Sequence, residues 1–232
     1  MNKTLVIIPT YNEAGNIVRL IHKIHETAPD FSILVIDDNS ADGTADAVTG
    51  LMEADKRVHL LKRPGKLGLG TAYITGFKWA LEHGYDYVFE MDADFSHNPA
   101  HIPQFVEAIK EADLVLGSRY VPGGGVVNWP LFRRIISKGG SLYSRTILGL
   151  PYKDLTGGYK MFRRSTLEKI GLDQVGSEGY SFQIELTYRA HKLGLKIVET
   201  PIIFEERQEG YSKMSKKIFL EAVIRVWQMR FK

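Results

Sequence analysis

Three apolar runs, at residues 4–9, 33–37 and 87–91, each end abruptly in a cluster of hydrogen-bonding side chains. The stretches at 14–27, 44–54 and 71–83 carry apolar residues at helical spacing, which marks the short runs as buried strands and the spacers as helices. The alternation continues with strands at 58–61 and 114–117 and a helix over 99–111 that has proline at its first turn. Strands joined by helical crossovers build a largely parallel sheet flanked by helices. Ligands of such a sheet gather outside the carboxyl ends of its strands, so the clusters are expected to share one edge.

The second half is less regular. Residues 120–130 hold three consecutive glycines and two prolines and read as a loop. A helix over 131–148, a strand or turn in 156–163, a helix over 180–192, a strand over 196–204 and a final amphipathic helix over 215–231 follow. The expected organisation is one α/β domain over 1–212 with a basic amphipathic appendage over 213–232.

At 232 residues, 44% hydrophobic and 25% charged, the chain has ordinary globular composition. It has no cysteine, which excludes disulfide scaffolds, cysteine–zinc sites and thiol nucleophiles and fits a reducing compartment. A net charge of +3 is too balanced for a general nucleic-acid binder. No run approaches the ~18 apolar residues of a membrane span. Residues 5–8 are also too short for a signal-peptide core. A cytoplasmic protein with at most peripheral membrane contact is expected. The charge is unevenly spread. No acidic residue lies between Asp113 and Asp154, whereas Arg119, Arg133, Arg134, Lys138, Arg145 and Lys153 do, and a second basic stretch over 213–232 is opposed only by Glu221. Two such stretches suit an anionic ligand as well as a solvated face.

Taken singly, each polar cluster could be turn and cap chemistry. Three at one edge point to a site. The sharpest is Asp92-Ala93-Asp94, where carboxylates at i and i+2 leaving a strand can share one hard cation through oxygen. Mg²⁺ or Mn²⁺ there would neutralise charge on a leaving diphosphate. The run Gly65-Lys66-Leu67-Gly68-Leu69-Gly70 matches neither G-x-G-x-x-G nor G-x-x-x-x-G-K-[ST], so it reads as a flexible turn bordering the site.

Val6-Ile7-Ile8-Pro9-Thr10-Tyr11-Asn12-Glu13, Ile36-Asp37-Asp38-Asn39-Ser40-Ala41-Asp42-Gly43-Thr44 and Met91-Asp92-Ala93-Asp94 resemble the signatures of family 2 glycosyltransferases of the GT-A nucleotide-sugar-binding fold. More specific motifs resemble the dolichol-phosphate (polyprenol-phosphate) mannose synthases within it. They are Asp94-Phe95-Ser96-His97-Asn98-Pro99, Gly117-Ser118-Arg119-Tyr120, Arg133-Arg134-Ile135-Ile136-Ser137-Lys138-Gly139, Asp154-Leu155-Thr156-Gly157-Gly158-Tyr159, Gly179-Tyr180-Ser181-Phe182-Gln183-Ile184-Glu185 and Phe204-Glu205-Glu206-Arg207 with Ser212-Lys213. The resemblance spans about residues 4–215.

It implies that Pro9, Tyr11, Glu13, Ile36 and Asp38 hold the donor nucleoside. Asp92, Ala93 and Asp94 would hold the diphosphate, with Asp94 on the metal beside Ser96, where some relatives carry glutamine. Arg119, Arg133, Ser137 and Arg207 would grip the acceptor phosphate. Arg119 and Arg207 would also reach the donor, and Lys213 would touch it from a closing loop. Asp94, Asp92 and Arg119 are then the catalytic set, and Glu178 and Glu185 read as helix-capping or core-facing groups rather than catalytic ones.

The implied reaction inverts a sugar, moving mannose from GDP-mannose to a polyprenyl phosphate at the cytosolic membrane face. A phosphomonoester is anionic near neutral pH, with a second pKa of about 6, so no base need remove a proton. Positioning and electrostatics suffice, and arginine's planar fork suits a phosphate. Transfer of another sugar, such as glucose from UDP-glucose, a non-catalytic nucleotide-sugar-binding subunit, and a membrane adaptor are the alternatives. In the last helix, Ile218, Phe219, Ala222, Val223, Val226, Trp227 and Met229 make an apolar stripe bordered by lysine and arginine. It suits the lipid headgroup region, the protein's own domain or a partner equally well. Relatives often carry C-terminal membrane spans that are not seen here, so a membrane-anchoring partner is expected.

Overall fold

The computed structural model describes residues 2–205 and 216–231, with side chains of the last helix from Val223 onward. Nine strands and eight α-helices occur among these residues: β1 Thr4–Thr10, α1 Ala14–Thr27, β2 Ser32–Asp37, α2 Thr44–Ala54, β3 Val58–Lys62, α3 Leu69–Glu82, β4 Tyr87–Glu90, α4 Ile102–Ala108, β5 Leu114–Ser118, β6 Gly125–Val127, α5 Leu131–Leu148, β7 Lys160–Arg163, α6 Arg164–Lys169, α7 Gly179–Lys192, β8 Ile197–Pro201, β9 Ile203–Glu205 and α8 Lys216–Phe231.

Seven strands form one sheet in the order β3-β2-β1-β4-β7-β5-β8. All neighbours are parallel except β7, which runs antiparallel to both β4 and β5. Both faces are covered, which is why β1 is a continuous apolar run rather than an alternating one. Its side chains divide by pleat: Val6 and Ile8 join the core under α1, α2 and α4, while Leu5 and Ile7 join the core under α3, α6 and α7. Ile17, Leu20, Ile21 and Ile24 form the buried stripe of α1. On the other face α3 approaches so closely that a Cβ at Gly76 would lie 2.8 Å from side-chain atoms of Ile7 and Ile36.

Four expectations need correction. The loop over 120–130 contains β6, which pairs in parallel with β9 in a separate two-stranded sheet. The strand expected over 196–204 is two strands in two sheets. It breaks at Ile202, whose N–H donates to the Ser118 carbonyl (3.1 Å) and whose carbonyl accepts from Gly125 (2.9 Å). The helix expected over 99–111 is α4 bracketed by 3-10 turns at Pro99–His101 and Ile109–Glu111. Helix α3 starts two residues before the expected 71, inside the glycine-rich run, and α6 went unanticipated.

Helix α8 packs on its own domain through Val226 and Met229, which join Leu148 of α5 and Ile184 and Tyr188 of α7 in a third apolar cluster. Its opposite face leaves Ile224, Trp227 and Phe231 exposed, with Trp227 stacked on Phe231. The helix expected to be amphipathic thus spends one apolar side internally and presents another outward.

Candidate active site

Strands β1, β2 and β4 run side by side in one direction, so the polar clusters that follow them meet at one edge of the sheet. Each turn reverses through a residue with positive φ: Asn12 (59°), Asn39 (58°) and Phe95 (63°). Asparagine accepts that conformation readily, but a phenylalanine in it costs about 1–2 kcal/mol.

The first two turns are knit together. The Asn12 N–H donates to Ser40 Oγ (2.9 Å), and the Ala41 N–H donates back to Asn12 Oδ1 (3.1 Å). Asp37 accepts from Thr10 Oγ1 and from Ser40 Oγ and N–H. Asp42 is partly desolvated, but hydrogen bonds from Thr44 and Ala14 outweigh that and hold its carboxyl below the usual range. Glu13 accepts from Asn16 Nδ2 (3.0 Å) and donates its own N–H to Thr44 Oγ1 (2.9 Å).

Of the expected nucleoside contacts, Pro9 and Tyr11 lie partly exposed at this edge, and Lys66 sits 4.4 Å above the Tyr11 ring. The Ile36 side chain is fully buried against α3, so it belongs to the core. Asp38 receives Arg63 Nε on Oδ1 (2.5 Å) and the Leu67 N–H on Oδ2 (3.3 Å). Arg63 in turn reaches Thr71 Oγ1 (2.8 Å) and the Gly68 carbonyl (2.9 Å). From the other side Glu178 accepts the Gly70 N–H (3.0 Å), and a Cβ at Gly68, where φ is 102°, would stand 2.7 Å from its Oε2. The run read as a flexible turn is a pinned turn that opens α3. Glu185 accepts from the Ser177 N–H (3.1 Å) and Arg189 Nε (2.8 Å) and so ties α7 to the segment before it.

The third turn carries the aspartates. Asp92 is partly exposed, while Ala93, Asp94 and Ser96 are buried, with Asp94 at 5%. Asp94 Oδ1 accepts the Ser96 N–H (3.0 Å), so Ser96 meets Asp94 through its main chain. His97 Nδ1 accepts the Asp92 N–H (3.0 Å), and burial pushes the His97 pKa down, which favours the neutral ring that such an acceptor requires.

Beneath this turn lies a pair that sequence reasoning missed. Glu90 and Lys160 are cross-strand partners of β4 and β7, both fully buried. Burial drives Glu90 up to about 8 and Lys160 down to about 8, each opposed by the other's charge. Lys160 Nζ donates to the Gln183 carbonyl (2.6 Å) and Thr187 Oγ1 (3.0 Å) of α7. The available signal was a lone charge inside the apolar run over 87–91.

Across the edge a cavity of about 240 Å³ opens between α5, α7 and α8, and Arg119, Arg133 and Ser137 line it together. Its apolar wall includes Ile136, Tyr143, Ile184 and Val223. Arg119 is committed to a protein partner: its Nε and Nη2 donate to the two Asp154 oxygens (2.6 and 2.7 Å), and Nη2 also donates to Thr156 Oγ1 (2.8 Å). Burial disfavours both charges, yet their mutual attraction wins, keeping Arg119 protonated and the Asp154 carboxyl below its ordinary value. Arg133 lies 4.2 Å over the Trp129 ring, and Ser137 Oγ accepts the Tyr120 hydroxyl (2.7 Å). Trp129, Tyr143 and Tyr180 also line the cavity and were not anticipated. Arg207 and Lys213 lie outside the described residues.

Comparison with known proteins agrees with this architecture. The glycosyl transferase family 2 profile matches residues 5–171. The undecaprenyl-phosphate mannosyltransferase of Micrococcus luteus is 50% identical over 224 residues, covering 97% of this chain and 92% of that protein. The polyprenol monophosphomannose synthase of Mycolicibacterium smegmatis is 49% identical over 232 residues, covering 98% and 88%. Among solved structures, glucosyl-3-phosphoglycerate synthase from Mycobacterium tuberculosis in complex with Mn²⁺, UDP and glucosyl-3-phosphoglycerate superposes with a TM-score of 0.69 at 18% identity, covering 99% of this chain and 80% of that one. That likeness shows the fold, which is GT-A. The chain belongs to glycosyl transferase family 2, among the polyprenol-phosphate mannose synthases.

Proposed function

We propose that the protein transfers mannose from GDP-mannose to a polyprenyl phosphate with inversion at the anomeric carbon. The observation that carries this reading is the amphiphilic cavity across the edge from the aspartate turn, where Arg119, Arg133 and Ser137 share the lining with apolar side chains. A phosphate attached to a hydrocarbon chain is the ligand that satisfies both. The names of the relatives supply the sugar.

The donor side fits a hard divalent cation. The aspartate turn offers carboxylate oxygen, and among the described residues no group of three or more histidine, cysteine, aspartate or glutamate side chains forms a closed site. Mg²⁺ and Mn²⁺ characteristically take one or two carboxylates plus substrate phosphates, so Asp94, with Asp92 and Ser96 adjacent, would hold the ion. When bound, it supplies neutralisation of the leaving diphosphate. Arg133 orients the acceptor phosphate. Arg119, held by Asp154, contributes fixed positive charge rather than an open fork. Pro9, Tyr11 and Glu13 border the nucleoside, and Asp38 acts by fixing the glycine turn beside it. Arg207 and Lys213 complete the donor and acceptor contacts by resemblance.

Among the described residues no helix is long and apolar enough to cross a membrane. Peripheral access to a lipid substrate is supported instead by the exposed apolar side chains of α5. Beside the cavity, α5 exposes Leu131, Phe132, Ile135 and Leu142 among Arg133, Arg134 and Lys138, as an interfacial helix would. The test is Asp94→Ala: turnover is lost at saturating Mg²⁺ or Mn²⁺ while the fold, read by circular dichroism, persists. Near-normal turnover with the metal supplied would remove Asp94 from the site.

A further inference from the structure

A row of rings connects the aspartate turn to the cavity arginines. His97, 2% exposed, stacks on Tyr159 with centroids 4.8 Å apart and planes at 11°. The Tyr159 hydroxyl donates to the Asn98 carbonyl (3.1 Å), and His97 Nδ1 takes the Asp92 N–H, so the turn over 92–98 is anchored at both ends by this stacked pair. On its other side His97 meets Phe204 edge-on at 5.5 Å. Phe204 meets Trp129 edge-on at 5.2 Å, and the Trp129 face carries Arg133 at 4.2 Å. Arg119 lies 5.4 Å from both the Trp129 and Phe204 rings.

We infer that His97 is a positioning residue that sets the aspartate turn through its Nδ1 and holds that turn in register with the acceptor cavity through Phe204 and Trp129. The inference rests on the donor reading of Asp92 and Asp94. The two ring nitrogens meet Asp92 differently: Nδ1 accepts its N–H at 3.0 Å, whereas Nε2 lies 3.8 Å from its carboxylate oxygen, beyond hydrogen-bond reach. The Asp92 N–H follows the last ladder bond of this segment, from the Met91 N–H to the Ile7 carbonyl (3.2 Å), and takes its acceptor from a side chain. A part-buried N–H that loses its acceptor is left under-satisfied, so losing Nδ1 releases the turn to seek another partner. Phe95, already at positive φ, lies within the released segment. An apolar residue of similar size at 97 preserves packing but not that bond.

The experiment compares His97→Asn, His97→Gln and His97→Leu. Asparagine places its carboxamide oxygen near the Nδ1 position, glutamine places its own near Nε2, and leucine offers none. GDP affinity is measured by calorimetry with and without Mn²⁺, alongside melting temperature and the separate KM values for donor and acceptor. Partners that orient ligating groups typically contribute 10–100-fold. The expected result is a loss of Mn²⁺-dependent GDP affinity of about tenfold or more in the glutamine and leucine variants, with the asparagine variant within about threefold of wild type. Trp129→Leu, which cuts the row farther on, raises the acceptor KM and leaves GDP affinity near wild type.

Equal affinity in all three His97 variants, or equal losses that follow melting temperature alone, would overturn the inference. If the leucine variant does not fold, the asparagine–glutamine contrast decides. Failure of the wild type to bind GDP with Mn²⁺ would overturn the donor reading, and the inference with it.

Discussion

Arg119 and Asp154 form a buried two-pronged ion pair, with Nε and Nη2 of the guanidinium on the two carboxylate oxygens at 2.6 and 2.7 Å. The Arg119 backbone N–H also donates to Asp154 (3.0 Å). The pair locks the end of β5 to the segment before β7, at the wall of the cavity. Such a pair adds little net stability over a packed apolar substitute, yet breaking it leaves a charge stranded.

Asp154→Asn should therefore destabilise the protein by about 3–5 kcal/mol, read by denaturant unfolding near neutral pH. The pH dependence has a definite sign. Asp154 titrates below its ordinary value of 3.8 in the folded protein, so its contribution is complete above about pH 4 and is lost as pH falls through the depressed value. The variant should lack that part of the acid limb. Unfolding midpoints equal to wild type across the range would contradict the assignment.

The same pair shows where the sequence speaks and where it stops. The acid-free stretch between Asp113 and Asp154 suited an anionic ligand as well as a solvated face, and Arg119, Arg133 and Ser137 do line one cavity. The acid that ends the stretch folds back onto its first arginine, a contact across 35 positions that no local pattern announces. Glu90 and Lys160 are hidden for the same reason, because strand register decides their pairing. Long periodic elements such as α1, α2 and α5 were legible to the residue, since each needs a full apolar stripe to bury. Strands β6 and β9 span three residues each, too short for alternation to register. The glycine-rich run looked mobile because Glu178, which pins it, and Asp38, which holds the neighbouring Arg63 against it, come from elsewhere in the chain.

Arg133→Ala should raise the acceptor KM about tenfold or more, the worth of a charged hydrogen bond to phosphate, while GDP affinity stays within about twofold. Steady-state kinetics with varied acceptor, paired with calorimetry for the donor, separates the two. Equal damage to both would place Arg133 on the donor.

Trp227 on α8 and Phe132 on α5 are both exposed, at 46% and 73%. Replacing either with serine should reduce sedimentation with anionic vesicles about tenfold, in line with the roughly 1.5–3 kcal/mol of burying a large apolar side chain. Added salt should weaken wild-type binding as well, since the surrounding lysines and arginines contribute. Unchanged binding in both variants would move lipid access elsewhere on the surface.

Sugar transfer from GDP-mannose and from UDP-glucose onto a short polyprenyl phosphate, each with Mg²⁺ or Mn²⁺ and again with chelator, tests the central claim most directly. Transfer of mannose from GDP-mannose that disappears with chelator is the predicted result, with UDP-glucose inactive. Transfer from UDP-glucose in place of GDP-mannose, or no transfer from either by folded protein, would contradict it.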